Sequence, residues 1–405
     1  MQDAAGVKTG RLYEEDAYAV HFDAAVVSAE GNDVVLDRTL FFPEEGGQVP
    51  DRGTLAGFPV TDVQIRGDEI HHTLDLNGAP DTGLRAGDRT EGDIDWAFRF
   101  SNMQQHSGEH LFSGLVHRMF GFDNVGFHLS EREVTLDFNG VIPPDRLEEL
   151  EILVNRAVTA DVPSVIRYCE SSDPEAGKYR SKLDLPGMVR IVEFPGYDRC
   201  ACCAPHVRRT GEIGLLIVTG MIRYKKGVRV SILCGERALK ECRRDRNIVL
   251  QTAQYLTTSP DEIYAQTVRA REEIRTLKGR VKELAGEKML RAAAGADPDA
   301  EHVILFSEDA DDAAARSAVN MLTASHRGYC GVFTGSDEDG YRFVIGAGSG
   351  ADAKEAAELL RGRFGARGGG SPRMVQGSVK AAADDLRALF RRAGYEEQKQ
   401  KRSVK

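Results

Sequence analysis

Two histidines four residues apart, in His106-Ser107-Gly108-Glu109-His110, carry the clearest chemical potential in the sequence. The surrounding stretch Phe98–Phe120 has apolar residues at helical spacing: Leu111, Leu115 and Met119, with Phe112 and Val116. Positions i and i+4 share one helix face about one turn apart, so two imidazoles there can grip one metal ion from the same side. Four-coordinate zinc needs more nitrogen or sulfur donors. They are available in Cys200-Ala201-Cys202-Cys203-Ala204-Pro205-His206. In a chain with ten histidines and seven cysteines, the two clusters complete a ligand set typical of zinc. Spacing alone leaves the three thiols equally eligible. HSGEH also fits an inverted H-x-x-E-H pattern, in which Glu109 would be the general base of a metalloprotease.

The elements that must position these residues read as α+β. Residues 1–95 hold short apolar or alternating runs split by Gly, Pro and Asp: Val34–Leu36, Thr39–Phe42, Val60–Ile65 and Ile70–Leu74. This predicts a small β-barrel. Within it, Gly46-Gly47-Gln48 offers close backbone approach and an amide with both donor and acceptor. Residues 96–235 form a second unit, helices followed by strands, with Gly121–His128 expected as a loop. Residues 236–295 are helical and charged, broken at Ser259-Pro260-Asp261-Glu262, a capping box with Pro at the first helical position. Beyond it Ile263, Ala270, Ile274, Leu277, Val281 and Leu284 form a coiled-coil-like stripe, a spacer or a homodimer seam. Residues 296–395 read as α/β. They have strands at Val303–Phe306, Gly331–Thr334 and Phe343–Gly346 and helices at Asp311–Ser325, Asp352–Phe364 and Val379–Arg392. Arg367-Gly368-Gly369-Gly370-Ser371-Pro372-Arg373 is a basic loop suited to phosphate, and residues 396–405 form a basic tail.

Composition limits the function classes. Hydrophobic residues make up 41% and charged residues 29%, as in a soluble globular chain. No apolar run approaches the roughly 20 residues of a membrane span, and no signal peptide is expected at the N-terminus. An odd, clustered set of seven cysteines points to metal or thiol chemistry in a reducing cytoplasm. The net charge is −10, yet residues 180–246 hold fifteen Lys/Arg against seven Asp/Glu. That local excess of +8 around the candidate site suits a polyanionic substrate.

These motifs, in this order, resemble the editing half of alanyl-tRNA synthetase and its free-standing relatives, the AlaX alanyl-tRNA editing proteins. Phe42–Gly53 resembles the family's Gly-Gly-Gln segment, His106–His110 its HxxxH, and Cys202 with His206 its CxxxH. Residues 299–395 are similar to the C-terminal domain shared with DHH-type phosphoesterases (DHHA1), including Gly368–Gly370. No aminoacylation domain precedes the β-rich unit, so the resemblance is to the long free-standing form. It implies zinc held by His106, His110, Cys202 and His206, and hydrolysis of mischarged tRNA(Ala) carrying serine or glycine. It also implies contact with the tRNA 3′ end through Gly46, Gly47 and Gln48, a substrate pocket loop at Gly126, Phe127 and His128, and tRNA contacts at Arg367, Gly368, Gly369, Gly370 and Arg373. The sequence departs from the family at Cys203-Ala204-Pro205, where Gly-Gly-Thr is common, and at Gly126–His128, where some relatives carry a hydroxyl residue. On this reading Glu109 is a helix-surface residue, and no catalytic residue is assigned.

Overall fold

The computed structural model describes residues 8–130, 133–171, 173, 179–181 and 187–391. The expected tail 396–405, Arg392 and most of the stretch 174–186 lie outside the described residues. The chain divides into two compact units near Val249.

The first unit begins with six strands: β1 (His21–Glu30), β2 (Asp33–Leu36), β3 (Gly53–Leu55), β4 (Phe58–Arg66), β5 (Glu69–Leu74) and β6 (Arg89–Ile94). Alternation along β5 and β6 sends every second residue inward, where Ile70, Leu74 and Ile94 join Phe41, Phe42, Val34, Leu36 and Leu55 in one core. Pairing runs β1-β2-β5-β4-β3-β6 and back to β1. The expected small barrel needs correction in its regularity. β1 pairs β6 through His21–Ala25 and β2 through Val26–Glu30, and the two ladders meet only at Ala25 and Val26, so the strands do not form the expected continuously closed barrel. A register shift at Val26/Ser28 goes with this change of partner, since a bulge turns a strand away from its neighbour; another interrupts the β4–β5 ladder at Val60/Asp62.

Next come α1 (Trp96–Phe120), β7 (Asn124–Leu129), β8 (Val134–Phe138), α2 (Leu147–Thr159), β9 (Val165–Glu170), β10 (Met188–Phe194), β11 (Asp198–Ala201), β12 (Leu216–Tyr224), β13 (Gly227–Cys234) and α3 (Gly235–Tyr255). β12-β13-β8-β7 is one antiparallel sheet and β9-β10-β11 another. α1 is their common centre. Asp95 caps it by accepting from Phe98 N, an interaction worth about 1 kcal/mol, and Gly121 ends it. From Asn102 to Val116 every residue is buried, because sheet, α2 and the Cys loop cover the helix on all sides. The expected loop Gly121–His128 is a strand from Asn124 onward.

The second unit holds α4 (Ile263–Ala294), β14 (Val303–Ser307), α5 (Asp312–Ser325), β15 (Tyr329–Ser336), β16 (Gly340–Ala347), α6 (Ala353–Phe364), β17 (Arg367–Gly370) and β18 (Met374–Val379), with a last helix at 383–391. The sheet order is β14-β15-β16-β18-β17. Only β14 and β15 run parallel; the other three pairings are antiparallel. The expected α/β class is therefore wrong for this unit, whose sheet is mixed and mostly antiparallel. Hairpin-type connections at 336–340 and 370–374 replace helical crossovers, and sequence periodicity does not report strand direction. The expected basic loop at Arg367 is the edge strand β17 and its turn. Along α4, Ile274, Leu277, Val281 and Leu284 are about half exposed. No helix among the described residues is long and apolar enough to cross a membrane.

Candidate metal centre and cavity

His106 and His110 project from the buried stretch of α1, and Cys202 and His206 come from the loop after β11. The donor atoms of these four residues lie within 4.8 Å of one another. Cys202 Sγ is 3.2 Å from His206 Nε2 and 3.5 Å from His106 Nε2. A tetrahedron with nitrogen at about 2.0 Å and sulfur at about 2.3 Å from its centre has an N···S edge of about 3.6 Å. The four donors can therefore close around one ion with little movement.

Each imidazole is turned by its other nitrogen. His106 Nδ1 donates to Gln48 Oε1 at 2.7 Å, His110 Nδ1 lies 2.9 Å from Asp198 Oδ2, and His206 Nδ1 meets Ser107 Oγ at 3.1 Å. With Nδ1 so engaged, Nε2 presents its lone pair to the centre. Asp198 is in turn clamped by Arg180, at 2.7 and 2.9 Å. Gly114 makes this possible, because a Cβ there would stand 2.5 Å from Tyr197 O and 2.7 Å from Asp198 Cβ.

Electrostatics select one thiol of three. Burial pushes Cys202 up, but His106, His206 and His110 outweigh it and hold the thiol well below the usual range. Cys200 and Cys203 are pushed up by burial and stay protonated. Burial also lowers His206 to about 3, so it is neutral. At His110 burial opposes charge, yet Asp198 and Cys202 prevail and raise it to about 10, so without an ion it holds a second proton that metal binding must displace before Nε2 can act as a donor. Asp198, despite burial, is drawn down to about 2 by His110 and Arg180. A thiolate and a buried carboxylate thus attract positive charge to this point, as a metal-ion site requires.

The cluster floors a cavity of about 1010 Å³ whose wall includes Gly46, Glu109, Phe127, Arg180, Arg190 and Tyr197. Of the expected pocket residues, Gly46 and Phe127 line it; the Phe127 ring lies 4.8 Å from that of His106. Gln48 is buried behind His106 rather than facing the cavity. Gly47 packs on β7, where an added Cβ would meet Phe127 O at 2.3 Å. Gly126 faces Asp137, and His128 is exposed on β7. Alternation along a strand sends residues 127 and 128 to opposite faces, so His128 is not brought to the cavity. Glu109, expected on a helix surface, is 5% exposed and lines the cavity. Asn102, His106, Glu109 and Ser113 share a polar side of α1 that reads like a solvent face, yet the whole stretch Asn102–Val116 is buried. Arg367, Gly368, Gly369, Gly370 and Arg373 belong to the second unit, all exposed on or next to β17.

Residues 189–231, which include Cys202 and His206, match the family described as "Threonyl and Alanyl tRNA synthetase second additional domain". The segment that carries the second pair of donors is thus similar to that synthetase accessory domain. Over 410 residues the chain is 27% identical to the alanyl-tRNA editing protein Aarsd1 of Danio rerio, covering 94% of this chain and 97% of that one. It is 31% identical to the alanyl-tRNA editing protein AlaX-L of Pyrococcus horikoshii over 57% of this chain and 59% of that one. To the alanine–tRNA ligase of Pyrococcus abyssi it is 30% identical over 94% of this chain, spanning 43% of the ligase. The chain belongs to the AlaX-type alanyl-tRNA editing proteins.

Proposed function

We propose that the protein is a trans-editing hydrolase that cleaves the ester of mischarged tRNA(Ala), chiefly Ser-tRNA(Ala) and also Gly-tRNA(Ala), with zinc held by His106, His110, Cys202 and His206. The observation that carries this reading is the four-donor cluster, with each histidine oriented from behind, on the floor of a cavity large enough for a terminal aminoacyl-adenosine. The names of the relatives supply the substrate class.

When bound, zinc would supply a positive centre that, with its four positions filled by protein donors, organises the aminoacyl ester by its charge for attack by an ordered water. The protein does the rest. Gln48, Asp198 and Ser107 hold the three imidazoles in register. Arg118, Arg180, Arg190 and Arg199 around the wall favour the phosphate-bearing end of a tRNA. A polar site that engages the seryl hydroxyl is left unsatisfied by alanine, which favours release of serine over the correct ester. In this reading Arg367 and Arg373 touch the tRNA body, the exposed stripe on α4 is the seam of a homodimer, and the protein works in the cytoplasm.

The test is deacylation of Ser-tRNA(Ala) beside Ala-tRNA(Ala), with zinc quantified in wild type and Cys202→Ala. Rapid, selective loss of serine, together with loss of both zinc and activity in the variant, is expected. Zinc binding without cleavage of either ester would leave a tRNA-binding protein instead. One observation favours a metalloprotease as second reading: Glu109 stands in the cavity wall, its Oε2 3.9 Å from His110 Nε2. Against it, a four-donor set leaves no open position for water. Cleavage of casein with no cleavage of Ser-tRNA(Ala) would favour it.

A further inference from the structure

We propose that the β12–β13 hairpin, through Arg223, Lys225 and Lys226, grips the phosphate backbone of the RNA strand whose 3′ end enters the cavity. This rests on the hydrolase reading above and adds to it a surface outside the cavity.

The stretch stands apart in charge. From Ile213 to Gly235 there is no acidic residue, although the chain carries 63 of them and a net charge of −10. Four basic residues, Arg223, Lys225, Lys226 and Arg229, gather at the hairpin. Arg229 is neutralised by Asp137, at 2.6 and 2.8 Å. Arg223, Lys225 and Lys226 are exposed and have no carboxylate partner among the described residues. Other acids along this sheet are engaged elsewhere. Glu151 accepts from Val218 N at 2.6 Å, Glu133 from Ser231 Oγ at 3.4 Å, and Asp123 lies 3.0 Å from His117 Nδ1. Three unpaired cations so close together repel one another and suit a polyanion.

The tip is held in place. Tyr224 pairs with Gly227, which leaves a two-residue turn of Lys225 and Lys226. A Cβ at Gly227 would stand 1.9 Å from Phe138 O, so the hairpin is seated directly on β8. Arg229 Cζ lies 4.1 Å from the centre of the Tyr224 ring and Lys225 Nζ 5.0 Å. Lys225 has a φ of 50°, a conformation that short hairpins usually give to Gly, Asn or Asp. The turn thus carries a cation where its geometry favours a smaller residue.

Sheet register ties this tip to the cavity. Arg223 pairs with Val228, Val228 with Phe138, and Phe138 with Asn124. Asn124 and the preceding Asp123 line the cavity. The row from cavity edge to hairpin crosses three strand spacings, about 14 Å, and the turn lies just beyond it. A stacked nucleic-acid strand advances roughly 3.4 Å per residue. The backbone that meets the hairpin therefore belongs to nucleotides about four or more before the terminal one. A bare aminoacyl-adenosine lacks them.

The experiment uses wild type and the triple variant Arg223→Gln, Lys225→Gly, Lys226→Gln, with zinc content measured in both. Gly suits the turn, so the variant removes charge without adding strain. Affinity for tRNA(Ala) is measured at several salt concentrations, and cleavage is followed for Ser-tRNA(Ala) and for the seryl ester of adenosine. The variant should lower the slope of log affinity against log salt by about 2. It should lose about tenfold in kcat/KM on Ser-tRNA(Ala), through KM, and keep wild-type zinc and wild-type cleavage of seryl-adenosine. An unchanged slope overturns the proposal. So does an equal loss on both esters, which would make the hairpin a structural element only. Wild type that binds tRNA(Ala) with a hairpin-dependent slope yet cleaves neither ester overturns the hydrolase reading and leaves this surface standing.

Discussion

Gln48 shows how a single side chain can be placed where its chemistry is indirect. Its carbonyl holds His106 from the side of the N-terminal strands. Gln48→Leu should lower zinc affinity by about 10–100-fold, the usual effect of removing such an outer partner, whereas Gln48→Glu should retain it. Competition with a chromogenic chelator measures both. His72 gives a pH prediction well away from the centre. Burial lowers it to about 4, against partial support from the Val34 carbonyl, and it also meets Thr39 Oγ1 at 2.9 Å. Unfolded, it titrates at its ordinary value of 6.5. Between those values the unfolded chain binds more protons, so stability falls as pH drops through that window and the loss is complete below about pH 4. The contribution is about 3 kcal/mol. Urea unfolding of wild type and His72→Gln at pH 7 and pH 4.5 should show a smaller acid loss in the variant; equal losses would reject the assignment. At this scale types and spacing marked the two histidines of α1 and the Cys–His cluster, while Cys202 was singled out among three thiols only by the resemblance to the family's CxxxH; the structure brings these four side chains together. The sequence was not legible for Gln48, Ser107 and Asp198, because nothing local says which nitrogen of a histidine they will meet.

At the scale of elements, α1 controls the site. Its glycines are costly to a helix, about 1 kcal/mol each relative to alanine, and Gly114 is there to let Asp198 close on His110. Gly114→Ala should therefore destabilise the protein by about 1–3 kcal/mol through overpacking. It should also weaken zinc binding, which calorimetry and metal titration would separate; stable protein with wild-type affinity would refute the coupling. The helix itself was readable from its apolar recurrence. Glu109 was misplaced because that reading assumed a solvent face, and a helix wrapped by two sheets and α2 has none from Asn102 to Val116. β7 was read as loop because Gly, Asn and Asp dominate its approach, though Val125, Phe127 and Leu129 alternate within it. β17 left no trace, since three glycines have no pattern to alternate.

At the scale of the whole molecule, the expected β-rich, zinc-binding, helical and C-terminal stretches follow changes of charge and periodicity along the sequence, whereas the structure divides into two compact units near Val249, within the expected helical stretch. The sequence did not indicate strand direction in the C-terminal sheet, which depends on partners far apart in the chain. If the second unit contributes to tRNA binding, replacing Arg367 and Arg373 with alanine should lower the slope of log affinity against log salt by about 1.5–2. Affinities measured at three or more salt concentrations decide it, and an unchanged slope would remove these arginines from the interface. The same strand has a quieter consequence. β17 ends the sheet, and the outermost strand of any sheet is a template on which other chains can crystallise into fibres. Here that template is four residues long, begins with a charged arginine, and then offers bare backbone with no side chains to interlock across a growing stack. At its β17 end, the sheet therefore offers little for a further strand to lock onto.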